Sequence, residues 1–290
     1  MRGPSDLVLA SSSRLPSMMR LMVSSDPSIS AKHLPYSPES GSYSVSRGQA
    51  GSNGATSPAL PVPPQELWEG YATRPSEYLE GGQRDVKTMM EILGSSGLVL
   101  EKGARLIEIG CAGGRMLRWF ADFATEGEVW GTDIDAQSIK WCQLHLSPPF
   151  FFTTVTTSPH LPFEDRYFDL IYCGSVFTHI SELADAWILE LRRILRPGGY
   201  LYITVHDKNT IRILSSREYA DFFLSKILFS PEHKQIVESD FLEFAISRTP
   251  KGAQVFYDID HLRHQWGRFL TVQSVTPSAY GYQTAVVLKK

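Results

Sequence analysis

The sequence predicts an α/β domain with a doubly wound, mostly parallel sheet that closes on a C-terminal antiparallel hairpin. Between about residues 105 and 205, short apolar runs alternate with amphipathic segments, which is the rhythm of strands joined by crossover helices. The first of these runs leads directly into a glycine-rich turn. The chain then ends on two apolar runs separated only by a turn at residues 277–281, a connection that suffices for an antiparallel pair and not for a parallel one.

Residues 1–64 are rich in Ser, Pro and Gly and hold no sustained helical or strand period. Such a segment buries too little apolar surface to offset its ordering entropy, so it reads as a disordered leader before a domain spanning residues 65–290. Arg2, Arg14 and Arg20 among serines suit an organellar transit peptide, whereas Asp6, Asp26 and Glu39 do not. A mis-assigned start codon accounts for the leader about as well. Order is expected from residues 65–71 onward, with a helix over 77–93 carrying Val86, Met89, Met90 and Leu93 on one face. Strands follow at 105–109, 128–132, about 150–156, 168–173 and 200–205. Helices are expected at 114–123, after Asp135 as a cap (Ile139, Cys142 and Leu146 inward), and at 181–195 (Leu183, Trp187, Leu191 and Ile194 inward). Trp119, Phe120 and Trp187 read as core, and Arg196-Pro-Gly-Gly199 as a stop and turn. Residues 208–256 break the rhythm and read as a partly helical insertion over the sheet edge that shapes the substrate pocket. The last two strands fall at about 269–275 and 284–288.

Bulk properties narrow the function. The chain has 290 residues, of which 42% are hydrophobic, enough for one large core. A net charge of -3 supplies no global field toward nucleic acid or an anionic membrane, and no apolar run is long enough to span a bilayer. Cys111, Cys142 and Cys173 match no zinc or CxxC spacing. They read as reduced core residues of a cytoplasmic protein. His261 and His264 lack further ligands at suitable spacing, so no metal is expected.

The chemistry concentrates in LIEIGCAGGR (residues 106–115). A strand–turn–helix that tight needs small residues so that a ligand can approach the backbone. A dinucleotide enzyme would favour GxGxxG there, but Ala112 and Arg115 stand at the second and third glycine positions. Glu108 precedes the turn, and an acid suits a ligand's ammonium group better than a pyrophosphate. Ala112 is tolerable provided its backbone is not left-handed. About twenty residues on, GTDID (131–135) offers Asp133 to a ribose and Asp135 to the next helix as its cap.

With LPFEDRYFDLIYCGSVFTHI (161–180) and ELRRILRPGGYLYITVHD (190–207), these strings resemble the class I S-adenosylmethionine-dependent methyltransferase family in order and spacing. The resemblance covers residues 67–290. It implies a seven-stranded Rossmann-like sheet and S-adenosyl-L-methionine as methyl donor. It assigns Glu108, Gly110, Cys111, Ala112 and Gly114 to the methionine and ribose portion, Asp133 to the ribose hydroxyls and Ile134 to the adenine. Thr157 and Ser158 occupy the place of an acid that contacts the adenine in many members, and Cys173 and Gly174 would line the transfer face. The acceptor it suggests is a small molecule or a glycan.

An activated methyl group leaves the protein mainly to align the acceptor, with a general base needed only where a proton must depart. His179, beyond the fourth strand, and His206, after the fifth, are the catalytic candidates, each with a purely structural alternative. Tyr71 and Tyr78 are candidates for a lid. A fold retained as an inactive binding scaffold is the competing function, which the intact glycines, Glu108 and Asp133 argue against. An NAD-dependent oxidoreductase is disfavoured by Arg115 and Glu108. A nucleic-acid methyltransferase is disfavoured by the charge and by Pro148-Pro149-Phe150, which lacks a preceding Asn or Asp.

Overall fold

The computed structural model describes residues 60–249 and 252–290. The leader assigned to residues 1–64 lies outside them except for its last five. Those five are engaged with the domain: the Pro61 carbonyl accepts from Arg118 Nη2 at 2.6 Å and the Pro63 carbonyl from Trp68 Nε1 at 2.7 Å.

Helix α1 (Pro75–Ser95) has proline in its first turn and buries Tyr78, Gly82, Asp85, Val86, Met89 and Leu93, the three-to-four spacing of one helix face. Strands β1 (Arg105–Ile109), β2 (Glu128–Asp133), β3 (Phe151–Thr154) and β4 (Phe168–Cys173) bury consecutive residues rather than alternate ones, as parallel strands covered on both faces require. Helix α2 (Ala136–His145) starts at Asp135, whose carboxylate accepts from the Gln137 and Ser138 N–H groups. Helix α3 (Ala184–Ile194) buries Trp187, Ile188, Leu191 and Ile194 and feeds β5 (Leu195–Val205).

The inserted segment holds α4 (Lys208–Leu214), α5 (Phe223–Leu228), α6 (Lys234–Glu238) and a separate hairpin, β6 (Glu243–Thr249) and β7 (Gly252–Tyr257). Helix α7 (Ile259–Trp266) returns the chain to the edge strands β8 (Thr271–Tyr280) and β9 (Gln283–Lys289).

The seven-stranded sheet runs β3-β2-β1-β4-β5-β9-β8, parallel through β5 and antiparallel at β5–β9 and β9–β8. This is the doubly wound sheet with a closing hairpin that the sequence predicts. Its two faces bury separate apolar layers. Ile107, Ile171, Leu201 and Val286 pack under α3 and α7, and Leu106, Leu170, Tyr202 and Val287 under α1 and α2. A third cluster, around Leu214, Leu224, Leu228, Ile246 and Phe256, belongs to the insertion. Among the described residues no helix is long and apolar enough to cross a membrane.

Four expectations are corrected. Residues 114–123 form no α-helix but short 3-10 turns at Leu117–Phe120 and Phe123–Thr125. Gly114 is left-handed (φ 74°), which a helix cannot contain, and Arg115 and Arg118 are drawn to Asp85 and Pro61 outside the segment. The Arg196–Gly199 turn lies within β5 as a bulge, stitched by Gly198 N–H to the Lys290 carbonyl and Lys290 N–H to the Gly199 carbonyl. The residues expected to turn at 277–281 instead continue β8 through a bulge, and the reversal falls at Gly281 and Tyr282. Trp119 and Leu183 are exposed rather than core, because the turn geometry and the later start of α3 rotate them outward.

Candidate active site at the sheet switch point

Strand β1 pairs with β2 on one side and β4 on the other, so the winding reverses between β1 and β4. Open α/β sheets bind ligands in the crevice beyond the carboxyl ends of such strands. The turn after β1 enters that crevice. The N–H groups of Gly110 and Cys111 both donate to the Thr132 carbonyl at the end of β2, at 2.7 and 3.0 Å. Gly110 is left-handed (φ 75°), and a Cβ there would lie 2.5 Å from Val176 Cγ2 in the segment after β4. Only glycine closes the crevice at this point.

Ala112 overturns the condition placed on it by the sequence: its φ is 42°, in the left-handed region. It is held there from both sides of its backbone. Its N–H donates to Asp133 Oδ2 at 2.7 Å, and its carbonyl accepts from Cys142 Sγ at 3.3 Å. An L-residue in this conformation costs about 1–2 kcal/mol, while glycine costs about 0.5–1 kcal/mol through the freedom it gives the unfolded chain. Ala112→Gly is therefore expected to raise stability by up to about 1 kcal/mol, a melting shift of about 2–4 °C read by scanning calorimetry. A fall in Tm would show that packing of the Ala112 methyl group outweighs the strain.

Two carboxylates face the turn. Asp133 ends β2, and its oxygens accept from the N–H groups of Ala112 and Asp135 at 2.7 and 2.8 Å. It therefore shapes both the glycine-rich turn and the start of α2, with two of the usual four acceptor directions left over. Burial raises its pKa, against the pull of these two bonds. Glu108 is more deeply placed and receives the Tyr172 hydroxyl at 3.2 Å. Burial pushes its carboxyl up to about 8, against the nearby Arg115 charge and the Tyr172 bond. Beside them Ile134 is 60% exposed, an apolar side chain held in the open next to Asp133. Thr157 and Ser158 lie exposed after β3.

At the end of β4, Gly174 has no side chain and the Tyr280 phenol occupies the space above it, 3.0 Å from where a Cβ would stand. Cys111 and Cys173 point into the apolar layers, so only their backbones can face a ligand. Ser175 is left-handed (φ 60°) and clamped: its N–H donates to Thr204 Oγ1 at 2.7 Å and its hydroxyl receives Gln283 Nε2 at 2.8 Å. Thr204 in turn donates to Gln283 Oε1 at 2.7 Å. Strain of this kind persists where surrounding structure enforces it, often at functional sites.

The catalytic candidates separate. His179 is tied by Nδ1 to the Ala253 carbonyl at 3.0 Å, which fastens the segment after β4 to the inserted hairpin. His206 is buried just past β5, and its backbone carbonyl receives Tyr257 N–H at 2.8 Å. Asp207 is occupied elsewhere, accepting from Thr210 N–H and the Thr284 hydroxyl.

Sequence reasoning missed the layer that supports the turn. Arg115, buried, donates to Asp85 Oδ2 at 2.8 Å and to the Tyr280 hydroxyl, and its guanidinium stacks on the Tyr71 ring 4.1 Å from the centroid. The Tyr280 hydroxyl donates to that of Tyr71 at 3.1 Å. A Cβ on Gly82 would collide with the Arg115 carbonyl, so α1 presses directly on the turn. Tyr78 stacks on Trp68 at 5.2 Å and, with Pro63, closes the Gly113 side. Both proposed lid tyrosines thus lie next to the turn, Tyr78 in the core and Tyr71 at the surface.

Residues 107–203 match a family model described as a methyltransferase domain. The ubiquinone/menaquinone biosynthesis C-methyltransferase of Cupriavidus pinatubonensis is 26% identical over 136 residues, 46% of this chain and 54% of that protein. A fatty-acid O-methyltransferase of Mycolicibacterium smegmatis is 27% identical over 103 residues, 36% of this chain and 37% of that protein. The chain spans about half the length, or less, of these relatives. A Pyrococcus horikoshii protein of solved structure shares the fold, with TM-score 0.51 and 17% identity over 76% of this chain and 98% of that one.

Proposed function

We propose that this chain, which belongs to the class I S-adenosylmethionine-dependent methyltransferase family, transfers a methyl group from S-adenosylmethionine to a small-molecule acceptor. The observation that carries the reading is the meeting, at the switch point, of a left-handed turn at Gly110, Ala112 and Gly114 with the buried carboxyl of Glu108 and the half-buried one of Asp133. That donor set suits a ligand with an ammonium group and vicinal hydroxyls, and repels a pyrophosphate.

When bound, S-adenosylmethionine supplies a methyl group already activated on a sulfonium. The chain's part is then to bind and orient. Glu108 faces the ammonium group, and the bare turn with the Cys111 backbone admits it. Asp133 takes the ribose hydroxyls on its remaining lone pairs, Ile134 covers the adenine, and Thr157 and Ser158 supply hydroxyls or N–H groups at its rim. Gly174 yields its side-chain space to the Tyr280 phenol, so it would meet the transfer face through its backbone. The acceptor enters beneath the insertion, where His206 lies and which His179 holds in place. The two relatives differ in the acceptor atom that their names give, carbon against oxygen, and both names support a small acceptor over a glycan.

Calorimetric titration with S-adenosylhomocysteine, and NAD in parallel, tests the reading. Micromolar binding of the first alone is expected, and a folded protein that binds neither would favour the inactive scaffold. Asp133→Ala is expected to weaken S-adenosylhomocysteine binding by about 1–3 kcal/mol, the scale of charge-assisted hydrogen bonds. Unchanged affinity in that variant would remove Asp133 from the cofactor site.

A further inference from the structure

The left-handed backbone of Ser175 is a conformation that serine keeps only under constraint, and a closed ring of hydrogen bonds supplies the constraint. Three bonds make the ring: Ser175 N–H to Thr204 Oγ1, the Thr204 hydroxyl to Gln283 Oε1, and Gln283 Nε2 to Ser175 Oγ. Its polarity is fixed. A backbone N–H can only donate, so the Thr204 oxygen is the acceptor in the first bond. Thr204 is fully buried, and among the described residues its own proton finds an acceptor in Gln283 Oε1. The Gln283 amide is thereby oriented with Nε2 toward Ser175. Gln283 is itself buried and anchored on both sides. The Tyr282 carbonyl receives the Thr210 hydroxyl, and the Thr284 hydroxyl donates to Asp207, both at the start of α4.

What the ring holds is one wall of the switch-point crevice. Gly174 lies against the Tyr280 phenol, and Val176 stands so close to Gly110 that only glycine fits opposite it. Gly174, Ser175 and Val176 each keep some exposure, in contrast to the buried β4 residues before them. Thr178 also donates to the Ser175 carbonyl, but it belongs to the same segment; the ring ties Ser175 to β5 and β9. The segment follows β4, which flanks β1 on the side opposite β2. A ligand whose ribose sits at Asp133, at the end of β2, therefore reaches residues 174–176 with its other end. In S-adenosylmethionine that end carries the sulfonium and the amino-acid chain.

We infer that Gln283 is a positioning residue for methyl transfer: by holding Ser175 left-handed it fixes the backbone of residues 174–176 against the sulfur end of the cofactor. The inference rests on the methyltransferase reading for its purpose. Glutamine suits the task because donor and acceptor share one planar group, so a single side chain spans the Thr204 and Ser175 oxygens. Small errors of placement are costly in a reaction that depends on in-line alignment, which gives a rigid wall its value.

The test uses the full chain with two probes, S-adenosylhomocysteine and adenosine, which lacks the sulfur and the amino-acid chain. In nitrogen-labelled parent protein, S-adenosylhomocysteine should shift the amide signals of Gly174, Ser175 and Val176, and adenosine should leave them in place. Gln283→Leu keeps much of the bulk and removes both bonds. It is expected to weaken S-adenosylhomocysteine binding by about tenfold or more, with adenosine binding unchanged. Thr204→Val should do the same, and Thr204→Ser, which keeps the hydroxyl, should restore the parent ratio of the two affinities. An equal loss for both ligands, or no loss for either, overturns the inference and leaves the ring a structural tie. Unmoved signals at residues 174–176 in the parent overturn it without any variant, so a variant that fails to fold does not decide the matter. A parent chain that binds neither ligand counts against the methyltransferase reading itself, whereas one that binds S-adenosylhomocysteine and keeps the same ratio in the variants fails only the inference.

Discussion

Arg115→Ala is expected to destabilise the domain by about 3–5 kcal/mol, the largest effect of any single change near the site. Arg115 and Asp85 form an ion pair at 2.8 Å with side chains only 7% and 12% exposed. Removing one partner of a buried pair leaves the other charge without compensation, which is far costlier than losing a surface pair. Arg115 also holds the Tyr280 hydroxyl and the face of Tyr71, so its loss strips a bond from the phenol above Gly174 and frees the segment that carries Tyr71. Urea unfolding followed by far-UV circular dichroism measures the first effect. Limited proteolysis near Tyr71 reads the second. The pair is shielded from solvent, so the loss should barely change between low and high salt. In a double-mutant cycle, Asp85→Ala combined with Arg115→Met should cost less than the two single changes together, because the stranded charge is gone. A loss below 1 kcal/mol in Arg115→Ala would show that the ion pair is solvated and does not secure the turn.

The contrast between Arg115 and its neighbours shows what was legible in the sequence. The strands were, because Leu106, Ile107 and Ile109 or Leu170, Ile171 and Tyr172 form apolar runs whose meaning is local, and a parallel sheet buries both of their faces. The switch-point turn was legible too, because only small residues permit it. Arg115 read simply as a departure from a dinucleotide pattern. Its partners lie 30 and 165 residues away in sequence, and no spacing rule connects them. The Ser175–Thr204–Gln283 clamp escaped for the same reason, joining residues 29, 79 and 108 positions apart.

The misplaced helix after the turn has a related cause. Residues 115–123 have ordinary helical composition, but Gly114 is left-handed and two long side chains are anchored elsewhere, so tertiary contacts override local propensity. Ala112 is the opposite case. Its residue type argues against a left-handed backbone, and the Asp133 carboxylate enforces one. The histidines were located correctly relative to the strands. What distinguishes them, a committed ring at 179 and two orphaned nitrogens at 206, exists only once the insertion is folded over them.

Glu108 yields the strongest pH dependence. Its carboxyl titrates near 8 in the folded chain, against 4.5 for an exposed glutamate, chiefly because burial disfavours the charge. Between those values the folded state keeps a proton that the unfolded state has lost. The stability contributed by this group is therefore fully present below about pH 4.5 and lost as pH rises through about 8. The full swing is on the order of 5 kcal/mol. Glu108→Gln holds a neutral side chain of the same shape, so its stability relative to the parent should climb across that window and level off above it. Chemical denaturation at a series of pH values reads the difference. The same carboxyl must be charged to hold an ammonium group, so S-adenosylhomocysteine binding below pH 8 should release a proton and strengthen by up to about tenfold per pH unit. Calorimetry in buffers of different ionisation enthalpy detects that proton, and in Glu108→Gln it should be absent and the affinity lower. An affinity that is flat from pH 6 to 8.5 in the parent chain would mean that Glu108 stays neutral in the complex and that the ammonium group is held elsewhere.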